Sequence, residues 1–233
     1  MKTKVFEVGG SIRDSFLNIS NKDRDFVVMA KSYNDMKEWI LSKNGKIFLE
    51  NENFFTIRCN LPEIGAADFV LGRKESHYSD NRRPDKVEVA KTIKEELSRR
   101  DFTINAIAKD IETGEIVDPF GGREDIENGL IRCVGSPWDR FEEDSLRIMR
   151  GLRFFITKNL WLHGDVSEAM KDDNLVALLS KVSAERIREE LFKCFSFDTL
   201  KTLNALNEFE GIRDMIFDRE RFGIWLKPTR EIS

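Results

Sequence analysis

Two aspartates, Asp23 and Asp25, stand one residue apart in the segment NKDRDFVV, just before a run of apolar and β-branched residues. Residues i and i+2 of a β-strand point to the same face, so a strand that held both would present two carboxylates side by side. A cation between them would remove their repulsion. Mg²⁺ suits such a site because it takes one or two protein carboxylates together with substrate phosphates. The alternative is that the pair only caps a strand.

Other residue types around this pair could also serve a phosphate-bearing substrate. Gly9 and Gly10 end a predicted strand and open a predicted helix, where bare backbone amides could receive a triphosphate. The alternative is an ordinary turn, since the segment matches neither a Walker loop nor the dinucleotide-binding glycine pattern. Arg13 could support the phosphates or form an ordinary salt bridge. Asp68 could be a third metal ligand or a plain strand residue.

Composition restricts the class of protein and the kind of metal site. The chain has 233 residues, of which 40% are hydrophobic, enough for one large domain or two small ones. Three scattered cysteines and two histidines exclude a thiolate or imidazole cluster, so any metal should be oxygen-ligated. The start of the chain does not resemble a signal peptide, and apolar runs are too short for a membrane helix. We therefore expect a cytoplasmic protein with no membrane partner.

Charge is unevenly distributed along the chain. The net charge of -4 argues mildly against a nucleic-acid partner, because domains that bind nucleic acid usually have a basic footprint. However, residues 145–164 contain four cations and no acidic residue. A basic stripe of this kind can hold a phosphate chain on an otherwise acidic protein.

Hydrophobic periodicity divides the chain into two parts. The first part predicts an α+β domain, a mixed sheet with helices, with strands at KVFEV, DFVVMA, KIFLE, FFTIRC and ADFVLG and helices at SIRDSFL and SYNDMKEWILSK. Residues 73–88 are polar and unpatterned, which predicts an exposed loop before a helix. From about Phe141 onward, apolar residues recur at helical spacing. We expect a head domain at 1–140 and an all-α neck at 141–233.

Five ordered motifs carry a resemblance to a known family. They are GGSIRD with DRD, RRDFTINAIA, DPFGGREDIENGLIR, EDSLRIMRGLRF and SAERIREEL, between Val8 and Leu191. In this order they resemble the class II tRNA CCA-adding nucleotidyltransferases, which share a head with bacterial poly(A) polymerases. The resemblance implies an enzyme that adds C and A from CTP and ATP to the 3′ end of tRNA, with Mg²⁺ held by catalytic Asp23 and Asp25.

The RRD motif of this family handles the ribose of the incoming nucleotide. The resemblance implies that Asp101 accepts a hydrogen bond from the 2′-hydroxyl, with Arg100 beside it and Asn105 as a further nucleotide contact. The alternative for Asp101, a cap for a helix starting at Phe102, is compatible with this role.

The EDSLR motif predicts selection of the base. Asp144 and Arg147 stand three apart on a predicted helix and would share a face. Cytosine and adenine both present an amino donor beside a ring-nitrogen acceptor, so a carboxylate next to a guanidinium complements them and opposes uracil and guanine. The alternative is a surface ion pair. Arg150 and Arg153 continue the face and could contact the base or the phosphates.

Departures from the family pattern leave several alternatives open. Asn18 stands where a glycine is usual, and it can adopt the left-handed turn that a glycine would take. The polar loop at 73–88, which CC-adding relatives shorten, favours an enzyme able to add A.

Family members continue through further helical regions, so this chain is either a minimal enzyme or a fragment. A poly(A) polymerase, a CC-only or A-only enzyme, and an inactive RNA-binding or nucleotide-sensing module stay as alternatives, and the oligomeric state is open.

Overall fold

The computed structural model describes residues 2–21, 23–76 and 86–218 of the chain. These residues divide into two compact units, one that takes in residues 2–76 and 86–135 and one that takes in residues 136–218. Within the described residues, no helix is both long and apolar enough to cross a membrane.

The first unit contains ten strands and four helices. Its strands are Lys4–Val8 (β1), Asp25–Met29 (β2), Lys46–Asn51 (β3), Thr56–Leu61 (β4), Gly65–Leu71 (β5), Arg73–Ser76 (β6), Lys86–Val89 (β7), Ala108–Asp110 (β8), Ile116–Val117 (β9) and Leu130–Ile131 (β10). Its helices are Gly10–Phe16 (α1), Tyr33–Ser42 (α2), Ile93–Ser98 (α3) and Gly122–Glu127 (α4), with 3₁₀ turns at Glu52–Phe54 and Thr103–Asn105.

Seven of these strands form one mixed sheet in the order β3-β4-β5-β2-β1-β8-β9. Strands β2 and β5 run parallel, and every other neighbouring pair is antiparallel. The register places Asp25, the first residue of β2, between Val8 of β1 and Asp68 of β5. The beginning of the most central strand therefore carries the predicted metal ligand.

The sheet is covered on both faces, which explains why β2 is an almost uninterrupted apolar run. On one face, Phe26 and Val28 pack with Met36 and Ile40 of α2. On the other face, Val27 packs in a second cluster, whose remaining members include Leu97, Ala106 and Val134. Ser32 caps α2, since its hydroxyl accepts a hydrogen bond from the Asp35 amide at 3.1 Å.

The second unit is helical apart from one two-residue strand. Its elements are Pro137–Glu143 (α5), Leu146–Thr157 (α6), Trp161–Leu162 (β11), Gly164–Ala169 (α7), Asp173–Ala177 (α8), Ala184–Phe197 (α9), Thr199–Glu208 (α10) and Glu210–Ile216 (α11), with a 3₁₀ turn at Leu178–Lys181. Helices α6 and α9 pack against each other, and both contain buried apolar residues such as Leu152 and Leu191. The boundary predicted at residue 140 falls inside α5, whereas the two units divide between Gly135 and Ser136.

One predicted loop is partly wrong. The loop at 73–88 begins and ends in strands, because β6 and β7 pair antiparallel with Arg73 opposite Val89. Strand β6 (RKES) has no apolar residue, and β7 (KVEV) alternates polar and apolar residues over only four positions, so the hydrophobic signal for a hairpin is weak. The predicted loop residues 77–85 lie outside the described residues. The prediction for Asn18 is confirmed, since its φ of 57° is left-handed.

Candidate active site

The two aspartates of the DRD segment do not lie on the same strand. Strand β2 begins at Asp25, and Asp23 lies in the loop before it, so the prediction of one shared strand is wrong. The Asp23 amide donates to the side chain of Asn21 at 2.9 Å, a local turn that competes with extending the strand. Asp25 alone is placed by the sheet, and Asp23 approaches it from the loop.

Three carboxylates share this end of the sheet. The pKa of Asp25 is raised from its ordinary value, first by burial and then by the charges of Asp68 and Asp23, while Arg100 acts in the opposite direction. Such an excess of negative charge favours a bound cation. In the part of the chain that the structure describes, no group of three or more His, Cys, Asp or Glu side chains could hold a metal ion. The carboxylates present fit a divalent cation that takes its other ligands from substrate and water.

Asp68 has a partner of its own. Its carboxylate lies 3.8 Å from the guanidinium of Arg58 on the neighbouring strand β4. The register keeps it beside Asp25, but it is not gathered with Asp23 and Asp25 into one three-carboxylate site. Its role as a third metal ligand stays a prediction.

The glycine pair opens α1, as the sequence predicts. Gly9 precedes the helix with φ of 75° and ψ of -131°, a conformation that side chains rarely adopt, and its carbonyl accepts from the Arg13 amide at 3.0 Å. A Cβ on Gly9 would lie 3.0 Å from Nη1 of Arg100, whereas one on Gly10 would meet its nearest neighbours at 3.5 Å. Glycine is needed at position 9 both for its backbone and for the close approach of Arg100.

We predict that Gly9→Ala lowers the free energy of unfolding by about 1 to 3 kcal/mol, because alanine is strained in this backbone conformation and crowds Arg100. Gly10→Ala is the matched control next to it. We expect that substitution to change stability by less than about 0.5 kcal/mol, because position 10 is the first residue of the helix and a Cβ there makes only ordinary contacts at 3.5 Å. Urea unfolding of both variants checks this, and equal stability of the two would contradict it.

Three of the predicted nucleotide contacts meet in one buried hydrogen-bond network. Arg13 donates to the side chains of Asn105 at 2.6 Å and Asp14 at 2.8 Å. Asn105 donates in turn to Asp101 at 2.9 Å, and the Asp101 carboxylate also accepts from the Phe102 amide at 2.8 Å. The network rigidly connects α1 to the RRD motif. Arg13 thus forms the salt bridge that we predicted as its alternative role, and this salt bridge is buried.

The predicted helix starting at Phe102 is wrong, since a single 3₁₀ turn follows Asp101. Sequence reasoning also missed Asp14 and Asn21, whose side chains bond to each other at 2.9 Å. Asp14 follows Arg13 directly in the GGSIRD motif, so the motif itself could have marked Asp14 as a candidate site residue.

Arg100 lies over the glycine turn. Its Nη1 donates to the Asn105 carbonyl at 3.2 Å, and its Nε is buried without a hydrogen-bond partner. Burial lowers its pKa, while the charges of Glu96, Asp101 and Asp25 act to raise it. The guanidinium therefore stands among the predicted metal, phosphate and ribose sites of this unit.

In the second unit, the predicted pair of Asp144 and Arg147 is not on one helix. Asp144 ends α5 in an extended conformation, and α6 begins at Leu146, so the prediction of a shared helical face is wrong. The Asp144 carboxylate accepts from the Leu146 amide at 3.2 Å, and this competition with the helix backbone explains the break.

The two side chains have different ionic partners. Asp144 lies 3.5 Å from Nη2 of Arg186 on α9, and Nη1 of Arg147 donates to Glu143 at 2.8 Å. Sequence reasoning did not assign either partner, although Arg186 belongs to the SAERIREEL motif. Asp144 and Arg147 remain neighbours at the start of α6, and each is held by a different ion pair.

Arg150 and Arg153 continue along α6. The guanidinium of Arg153 pairs with Glu190 of α9 and lies 4.2 Å from the centre of the Phe154 ring; Arg150 lies 5.6 Å from the same ring. Burial acts to raise the pKa of Glu190, but Arg153 and Lys193 outweigh it and the pKa is lowered. Arg153 thus joins α6 to α9, and its contact with nucleotide stays a prediction.

Comparison with known proteins identifies the family. The family described as Poly A polymerase head domain matches residues 5–132. The chain belongs to this family. A CCA-adding enzyme of Streptococcus gordonii is 40% identical over 190 residues, which cover 82% of this chain and 45% of that protein. The chain therefore spans about half the length of the curated relatives that it matches.

Solved structures agree with this membership. The CCA-adding enzyme of Bacillus stearothermophilus in complex with CTP is 31% identical, with a TM-score of 0.76 over 91% of this chain and 49% of that one. A tRNA nucleotidyltransferase complexed with a primer tRNA and an incoming ATP analogue is 28% identical, with a TM-score of 0.75 over 93% of this chain and 60% of that one. The predicted α+β head with a helical neck is confirmed.

Proposed function

We propose that this protein is a nucleotidyltransferase that adds C and A from CTP and ATP to the 3′ end of tRNA. The observation that carries the proposal is the position of Asp25 at the start of the central strand. There it is crowded by Asp68 and Asp23 and lies in the field of Arg100, which covers the Gly9 turn. Relatives named CCA-adding enzymes, and structures of relatives with CTP and with tRNA, support the choice of reaction.

Asp23 and Asp25 would hold the divalent cation, for which we propose Mg²⁺ because the donors are carboxylate oxygens. When bound, that ion neutralises the negative charge that develops on the transferring phosphate. The chain itself supplies positioning, which is the main requirement of phosphoryl transfer. Gly9 and Gly10 would offer their backbone to the triphosphate at the start of α1, where the Arg100 side chain lies beside Gly9 and the Arg13 side chain beside Gly10.

The RRD motif would hold the sugar of the incoming nucleotide. Asp101 is kept in place by Asn105 and by the Phe102 amide, so its carboxylate is preorganised to accept from a ribose 2′-hydroxyl. Arg100 would add positive charge beside the phosphates. A deoxynucleotide lacks the donor for Asp101 and should be a poorer substrate.

Base selection would fall to Asp144 and Arg147 in the second unit. Each oxygen of a carboxylate has two lone pairs, so Asp144 can keep its bonds to Leu146 and Arg186 and still accept from an exocyclic amino group. The bond to Glu143 orients Arg147. Action on tRNA also implies a cytoplasmic location.

Incorporation of labelled CTP into a tRNA that lacks its 3′ CCA tests the proposal. We expect incorporation that requires Mg²⁺, stops on addition of EDTA and is weak with dCTP. Incorporation of ATP alone into unrelated RNA would instead indicate a poly(A) polymerase. The absence of any incorporation, with protein that binds CTP, would indicate an inactive nucleotide-binding module.

A further inference from the structure

Glu96, on α3, is a fully buried carboxylate that the reaction described above does not use. It forms a two-bond pair with Arg99, with Oε1 to Nη2 at 2.6 Å and Oε2 to Nε at 2.9 Å. Its Oε2 also accepts from the backbone amide of Arg73, the first residue of β6, at 2.9 Å. One buried group therefore ties α3 to the β6–β7 hairpin.

The same carboxylate reaches the active-site arginine. Oε1 of Glu96 lies 3.6 Å from Nη2 of Arg100, and Glu96 is the strongest charge that acts to raise the pKa of Arg100, ahead of Asp101 and Asp25. The Asn105 carbonyl holds Nη1 of the same guanidinium over Gly9. Arg100 is thus in the field of Glu96, Asp101 and Asp25, and Asp25 lies opposite Val8, the residue before the Gly9 turn that Arg100 covers.

We propose that Glu96 is a positioning residue that holds Arg100 over the glycine turn and away from Asp25, so that Asp25 stays available to the divalent cation. The inference rests on the proposed function, which assigns that cation to Asp25. Without the charge of Glu96, the guanidinium of Arg100 is left with the carboxylates of Asp101 and Asp25. Asp101 already accepts from Asn105 and from the Phe102 amide, so Arg100 moves toward Asp25 and competes with the cation for it.

The test is the affinity for Mn²⁺ alone, read from the electron paramagnetic resonance signal of the free ion, in the wild type and in Glu96→Gln. Glutamine keeps the shape and an oxygen that can accept from the Arg73 amide. A neighbouring guanidinium weakens the proton affinity of a carboxylate by roughly tenfold or more, and we expect Mn²⁺ affinity to fall by about that factor. Unchanged Mn²⁺ affinity would overturn the proposal.

The Arg100→Gln background separates this role from a merely structural one. With the competing guanidinium removed, adding Glu96→Gln should leave Mn²⁺ affinity unchanged, whereas general damage to the fold would lower it in both backgrounds. Asp125→Asn is the matched control in the same unit, since Asp125 is buried and bonds to Thr103 and Arg132. We expect it to keep wild-type affinity, and a loss equal to that of Glu96→Gln would overturn the proposal.

Should Glu96→Gln not fold, Arg100→Lys provides the second arm. Lysine keeps the charge but cannot make the forked contacts with Glu96 and Asn105, so weaker Mn²⁺ binding is again expected and unchanged binding would contradict the proposal. These measurements use no RNA. The role of Glu96 can therefore be disproved by Mn²⁺ affinity even if the protein adds nucleotides to tRNA. It can also be supported by Mn²⁺ affinity even if the protein adds none.

Discussion

Replacing Asp25 with asparagine should reduce nucleotide addition to tRNA by at least about a thousandfold without lowering the stability of the protein. The activity falls because an amide cannot replace a carboxylate that holds a divalent cation at the transferring phosphate. Steady-state incorporation of CTP, measured beside thermal unfolding in the absence of metal, checks both parts of the prediction.

The stability part follows from the sign of the pKa shift. The pKa of Asp25 lies above its ordinary value of 3.8 in the folded chain, so the folded state binds this proton more tightly than the unfolded state does. The free energy of unfolding therefore falls as pH rises from 3.8 through the raised pKa, and at neutral pH the ionised Asp25 carboxylate destabilises the fold to its full extent. Asparagine has no charge to bury, so Asp25→Asn should unfold at the same temperature as the wild type or above it.

Glu50→Gln is the control for Asp25→Asn. Glu50 lies on the edge strand β3 and pairs with Lys37 on the surface, so its replacement should leave incorporation near the wild-type rate. Near-normal turnover of Asp25→Asn in Mg²⁺ would contradict the assignment of the metal site.

Replacing Asp144 with asparagine should relax discrimination against UTP by about tenfold or more, while the overall rate falls. The carboxylate repels the carbonyl of uracil, and asparagine offers that carbonyl a donor. Asparagine also keeps an oxygen for the Leu146 amide, so the start of α6 should be preserved. Specificity constants for all four nucleotides, measured with one acceptor tRNA, give the result.

Asp198→Asn is the matched control for base selection. Asp198 also caps a helix of the second unit, since its carboxylate accepts from the Lys201 amide at 2.8 Å. That substitution should leave the preference for C and A unchanged. The same preference in Asp144→Asn would show that Asp144 is structural and that the base is selected elsewhere.

The main strands could be predicted from the sequence because β2 and β5 are buried and rich in apolar residues, so their hydrophobic pattern is strong. The β6–β7 hairpin could not, because only Val87 and Val89 of its strands are apolar and because its stability depends on distant partners. The Arg73 amide, for example, bonds to Glu96, which lies in another element. Such contacts leave no periodic signal in the sequence.

The site was predictable in its residue types and less so in its geometry. Arg13 and Asp101 were expected to face nucleotide, yet both are buried in a network with Asn105, which motif spacing alone does not reveal. The break at Asp144 was missed because a carboxylate that bonds to the backbone ends a helix in the middle of an otherwise helical pattern.

The length of the product on a tRNA that ends before its CCA is the most direct test of CCA addition. With CTP and ATP together in Mg²⁺, we expect growth by three nucleotides and then arrest, with A incorporated only after two C. Arrest after two C would restrict the proposal to a CC-adding enzyme. Extension of any RNA by a run of A, or no extension by protein that binds CTP, would contradict it.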